Sequence, residues 1–69
     1  MWIATHLHTR SNRLYRVTGE RLNVQDDVAV MGYDYEDSNG HKFWQSKDRF
    51  DEILANGQPR FEKLKHESA

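Results

Sequence analysis

Four histidines and a tight group of carboxylates are the residues of this 69-residue chain best equipped for chemistry. His6 and His8 stand two positions apart, so in an extended segment they share one face, a spacing that two metal ligands can use. Zinc takes three or four ligands in a fixed geometry, and only His41, His66 or a carboxylate is left to complete such a set. No second ligand pair is visible, so the expectation is solvent-facing or turn histidines with no metal or other cofactor. Asp34, Glu36 and Asp37 offer paired carboxylates of the kind glycosidases use. That chemistry needs a cleft separating the two acids, and a domain this small has little room for one beside its core. Ser11, Ser38 and Ser46 have no evident His and Asp partners, and no glycine-rich phosphate loop occurs. Cysteine is absent, which excludes thiol catalysis, disulfides and thiolate zinc sites. A binding role, and no enzymatic one, is the expectation.

Two sets of residues suit binding. Tyr33, Asp34, Tyr35, Glu36 and Trp44, with Asp37 beside them, combine aromatic rings with acids around one predicted hairpin. Grooves of this composition accept extended or basic peptides, and tryptophan is a frequent interface anchor. Protein binding through this aromatic and acidic face is therefore the preferred reading. The alternative is nucleic-acid binding by a small β-barrel through Arg10, Arg13, Tyr15, Arg16 and Arg21, where basic side chains interleave with a stacking ring. Against it stand a net charge of −1 and a computed isoelectric point near 6.4. The same arginines have a plain use as ion-pair partners for Asp26, Asp27, Asp34, Glu36 and Asp37, which make the middle of the chain acidic. A third reading is a homodimer, in which an edge strand over residues 2–8 buries Trp2 and Ile3 against a second copy.

A chain of this length makes one domain, expected over residues 1–64 with a frayed tail at 65–69, and its core must be small. Eight aromatic residues supply the buried area that disordered chains lack. The start, Met1-Trp2-Ile3-Ala4-Thr5-His6, has no basic segment or long apolar run, and the longest apolar stretch is Val28-Ala29-Val30-Met31. A cytoplasmic protein that does not cross a membrane is the expectation.

The elements that must position these residues are mostly strands. Alternation over 2–8 places Trp2, Ala4, His6 and His8 on one face. A second strand covers Leu14 to Thr18, is punctuated by Gly19, and continues as a strand or an extended connection through Leu22 and Val24. The strongest strand spans Asp27 to Glu36, with Ala29, Met31, Tyr33 and Tyr35 on one side; apolar residues on both sides near its start suggest burial there and partial exposure at the acidic end. Asp37-Ser38-Asn39-Gly40 reads as a turn, and His41 to Gln45 as the returning strand. A short helix is expected near residues 47–55, with Phe50, Ile53 and Leu54 as its apolar stripe and Asn56-Gly57 as its end. Arg60 to Leu64 closes the chain as a last strand.

This order of signals resembles a family of short bacterial and phage domains catalogued as domain of unknown function 1653. The resemblance rests on Leu14-Tyr15-Arg16-Val17, Val28-Ala29-Val30-Met31-Gly32-Tyr33, Phe43-Trp44, Phe50 and Gly57-Gln58-Pro59-Arg60-Phe61. The chain departs from the family at His8-Thr9-Arg10-Ser11-Asn12, which lacks a glycine, and at Gln45-Ser46-Lys47, where an Arg-Pro pair is usual. The resemblance implies a mainly-β, SH3-like small roll or barrel with one short helical turn, and no activity.

Overall fold

The computed structural model describes residues 1–65, so most of the tail expected at 65–69 lies outside the described residues. Five strands form one antiparallel sheet: β1 (His6–His8), β2 (Arg13–Gln25), β3 (Val28–Glu36), β4 (Lys42–Ser46) and β5 (Phe61–Lys63), with α1 (Lys47–Phe50) between the last two. Their order in the sheet is β4-β3-β2-β1-β5. This is the expected mainly-β small roll with one short helix. The hairpin turn between β3 and β4 forms where Asn39-Gly40 places it. Gly40 takes φ +84°, and the Asp37 side chain accepts the backbone N–H groups of Asn39 and His41 at 2.9 and 3.0 Å.

The two faces of the sheet differ in chemistry. Cross-strand partners lie on the same face, and Val17 pairs with Tyr35, Glu20 with Tyr33, and Tyr35 with Phe43. That inner face carries the core: Tyr35, Phe50 and Phe61 are buried, with Tyr15, Val17 and Tyr33 packed against them. Phe50 and Phe61 stack at 4.1 Å, and Tyr15 and Tyr35 meet edge to face at 5.4 Å. The outer face carries the Arg16–Glu36 and Arg21–Asp34 ion pairs. Arg16 opposes Glu36, and Asp34 opposes both Gly19 and Trp44.

A bulge reconciles β2 with this division. Val17 pairs with Tyr35 and Gly19 with Asp34, which leaves Thr18 as an extra residue. Apolar side chains sit at odd positions before the bulge (Tyr15, Val17) and at even positions after it (Leu22, Val24), yet all face inward. What reads in sequence as two short segments is therefore one 13-residue strand.

Three expectations change. The helix spans Lys47–Phe50 and not 47–55. Ser46 caps it, accepting the Arg49 N–H at 3.3 Å, and Phe50 alone delivers the apolar contact, being 2% exposed. Ile53 is 62% exposed, so no buried stripe extends the helix. The chain closes instead into a narrow loop: Arg60 N–H donates to the Glu52 carbonyl and Leu54 N–H to the Gln58 carbonyl, both at 2.8 Å, and Gly57 turns it at φ +84°. The first strand is shorter than 2–8 and lies between β2 and β5, so it is not an edge on which two copies can pair. The exposure gradient along β3 also runs the other way. Tyr35, at the acidic end, is buried, while Val28 and Ala29 are exposed. The end near Val28 extends past the last pairing with β4, which is Gly32 with Ser46.

Candidate binding surface

The outer face is built around Trp44. Gly32 has no side chain, and a Cβ there would overlap the Trp44 ring and the Gln45 carbonyl oxygen, so the indole lies flat on β3 over this residue. Its Nε1–H donates to the Arg21 carbonyl at 3.1 Å, which fixes the ring across three strands. Beside it, the Arg21 guanidinium grips Asp34 through both Nε and Nη2 at 3.1–3.2 Å. Arg16 Nη2 and Trp2 Nε1 both donate to Glu36 Oε2, at 3.1 and 3.2 Å. Thr18, Arg21, Asp34, Glu36, Lys42 and Trp44, with Tyr35 and Phe43, border an open groove of about 400 Å³.

The preferred set from the sequence is thereby divided. Asp34, Glu36 and Trp44 share the outer groove, and Tyr35 also borders it although its ring belongs to the core, where it stacks on Phe43 at 5.4 Å; Tyr33 lies outside the groove and packs on Phe50 at 4.8 Å. Burial raises the Tyr35 hydroxyl pKa above its ordinary value, with Tyr15 adding to the shift. Arg21, Lys42 and Thr18 belong to the groove but fell outside the preferred set. The bulge and the cross-strand register bring them there, and only the ion pairing of the arginines was legible beforehand.

The arginine set does not assemble into one face. Tyr15 is part of the core, Arg16 and Arg21 pair with Glu36 and Asp34, Arg13 lies opposite His8, and Arg10 stands in the turn after β1. Asp37 is likewise engaged. Desolvation pushes its carboxyl up, but hydrogen bonds from His41 and Asn39 outweigh that and leave its pKa below the usual carboxylate value. Among the described residues, no three His, Asp or Glu side chains converge on a metal-sized site, and no helix is long and apolar enough to cross a membrane.

Solvent-facing or turn positions are the expectation for the histidines: His41 is exposed beside the hairpin turn and His8 sits at the turn into β2, but His6 and His8 are half-buried against core rings. His6 meets the Phe50 ring at 5.1 Å, and His8 meets Phe61 at 4.9 Å. The His8 Nδ1 lies 2.6 Å from Ser11 Oγ and accepts the Ser11 backbone N–H at 3.3 Å, which closes the turn into β2. Desolvation lowers both histidine pKa values, with Lys63 reinforcing the shift at His6 and Arg60 and Arg10 reinforcing it at His8. A folded-state pKa below the ordinary 6.5 means that the unfolded chain binds protons first as pH falls. Stability is therefore expected to be full above pH 6.5, to decline below it, and to level once the folded-state values are passed. Asp37 and Glu52, whose pKa values are also lowered, act in the same sense only further into acid, below about 4.5. Urea midpoints measured between about pH 7.5 and 5 should fall, and His6→Phe with His8→Phe should flatten that fall. An unchanged slope in the double variant would show that the histidines do not cause it.

Comparison of the chain with family models, with curated proteins and with solved structures finds no match.

Proposed function

We infer that the chain is a non-catalytic protein-binding module whose binding surface is the outer groove around Trp44, Asp34, Glu36 and Lys42. The observation that carries this reading is a half-buried indole held flat against the sheet, beside an open groove whose walls carry both signs of charge. A pre-set aromatic platform costs little entropy on binding, and neighbouring ions supply directional contacts. Each carboxylate of the groove is already engaged by a cation, an arrangement that serves recognition better than proton transfer. A small cysteine-free domain also suits a reducing cytoplasm, where we place it.

A photo-crosslinking side chain at Lys42, on the groove rim, is expected to trap the partner in host lysate. Trp44→Ala should then weaken capture by roughly 30-fold, the effect of losing an anchor worth about 2 kcal/mol, while the circular dichroism spectrum stays native. Asp34→Lys, which leaves the indole in place, should weaken it independently. Undiminished capture by both folded variants would remove the groove from consideration.

A further inference from the structure

Strand β4 is an edge of the sheet. It pairs with β3 and, among the described residues, with no strand on its other side. The hairpin turn decides which of its backbone groups are left over. The Asp37 N–H donates to the His41 carbonyl at 3.1 Å, which makes these two a hydrogen-bonded pair. Such pairs alternate along an antiparallel ladder. Phe43 and Gln45 therefore bond to β3, while Lys42 and Trp44 turn their N–H and C=O groups outward, as Ser46 does its N–H. The period of two also puts the side chains of Lys42, Trp44 and Ser46 on the outer face. Unpaired backbone groups and groove-lining side chains thus belong to the same residues. A second open groove, of about 470 Å³, is bordered by Gln25, Trp44, Gln45, Ser46 and Arg49. The two grooves share Trp44 and together follow β4 from Lys42 to Ser46. On the inner side of this edge, the Phe43 ring stacks on Tyr35 yet is 41% exposed.

We propose that β4 receives an extended acidic segment of another protein as an added antiparallel strand. This inference rests on the groove reading above and names the class of its ligand. From Ser38 to Phe50 the chain carries Lys42, Lys47 and Arg49 against the single acid Asp48. Lys47 is held by Glu20, whereas Lys42 and Arg49 have no ion-pair partner among the described residues. The acids of the first groove, Asp34 and Glu36, are already engaged by Arg21 and Arg16. The unpaired charge near both ends of β4 is therefore positive. A second copy does not suit it: two β4 strands paired about Trp44 would set Lys42 beside the other copy's Ser46 and Arg49, bringing like charges together twice. An acidic segment as long as β4, five residues, suits it at each position. Its first residue opposes Ser46 and is an acid sharing the second groove with Arg49. The third, apolar, lies against the indole, and the fourth, also apolar, covers Phe43. The fifth is an acid opposite Lys42. Main-chain bonds to the outward groups of β4 hold such a segment, and the alternating side chains read it.

The probe is the peptide Glu-Thr-Phe-Val-Glu, blocked at both ends and titrated into the full chain while the backbone amides are followed by NMR. Saturable binding is expected with a Kd below about 1 mM, and hydrogen exchange at the Lys42 and Trp44 amides should slow at saturation. N-methylation of the peptide's phenylalanine, which opposes Trp44, removes a ladder bond and should weaken binding about ten-fold. An uncharged side chain at Lys42 should cost only about two- to five-fold, a loss that covalent trapping at this position tolerates. Lys42→Glu should cost about ten-fold and be rescued by lysine at the fifth position of the peptide. Absence of binding, an affinity indifferent to N-methylation, or a charge swap that fails to rescue would each overturn the added strand. These results are separate from loss of the groove itself, which capture by Trp44→Ala and Asp34→Lys decides.

Discussion

Replacing Phe50 with alanine is expected to unfold the domain or bring it to the edge of unfolding. The ring is the most buried of the core side chains and touches His6, Tyr33, Tyr35 and Phe61. Truncating a buried phenylalanine costs about 3–5 kcal/mol, and a chain of this length has a total stability of only about 3–10 kcal/mol. The loss falls where nothing can collapse to fill it. Helix α1 is four residues long and supplies no other buried side chain, so the inner face would be opened to water. Urea unfolding followed by far-ultraviolet circular dichroism gives the measurement, and Phe50→Leu should retain about half of the lost stability. If the alanine variant kept its midpoint within about 0.5 kcal/mol, the inner face would be held together by something other than this aromatic cluster.

Gly32→Ala is the second large effect, and its cause is the reverse: excess volume, not missing volume. Alanine suits strands better than glycine, so propensity alone predicts a gain. Contact with the Trp44 ring and the Gln45 carbonyl oxygen predicts a loss of about 2–4 kcal/mol, because the carbonyl belongs to the β3–β4 ladder and cannot swing away. The near-ultraviolet signal of Trp44 should change with it as the indole is lifted from the sheet. Combining Gly32→Ala with Trp44→Ala separates the two contacts. The double variant should recover part of the loss, the part due to the ring, and the remainder belongs to the backbone. An additive double variant would mean that the ring does not rest on Gly32.

These two residues show what could be read from the sequence and what could not. Phe50 is legible as an apolar residue of a short helix, and the hairpin at Asn39-Gly40 follows from turn chemistry alone. Alternation along β3 correctly separated Tyr33 and Tyr35 from Asp34 and Glu36. The four cannot make one surface, since a strand presents neighbouring residues to opposite sides. Helix length was illegible because Ile53 and Leu54 match a helical stripe, and only the contacts made by the Glu52–Arg60 loop decide against it. Burial along β3 is illegible for a similar reason. Val28-Ala29-Val30-Met31 is the most apolar run in the chain, and nothing local reveals that the strands flanking β2 and β3 stop before reaching it. Alternation puts His6 and His8 on the face of Ala4, which is buried. That neighbour was the available signal that their rings turn inward.

The extra residue at Thr18 works like a frame shift within a single strand. Upstream of it, side-chain orientation is tied to the core through Tyr15 and Val17; downstream, the count restarts from a different position. Removing that one residue would join Val17 directly to Gly19, whose partners Tyr35 and Asp34 are already consecutive, so the ladder would close without a bulge and Leu22 and Val24 would keep their side of the sheet. A residue inserted into the regular ladder between Glu20 and Arg21, with no second bulge to absorb it, would instead present Arg21, Asn23 and Gln25 where Leu22 and Val24 now stand. Thr18 is thus slack in the strand: its loss is forgiven, while the same change of count a few residues further on would exchange an apolar surface for a polar one.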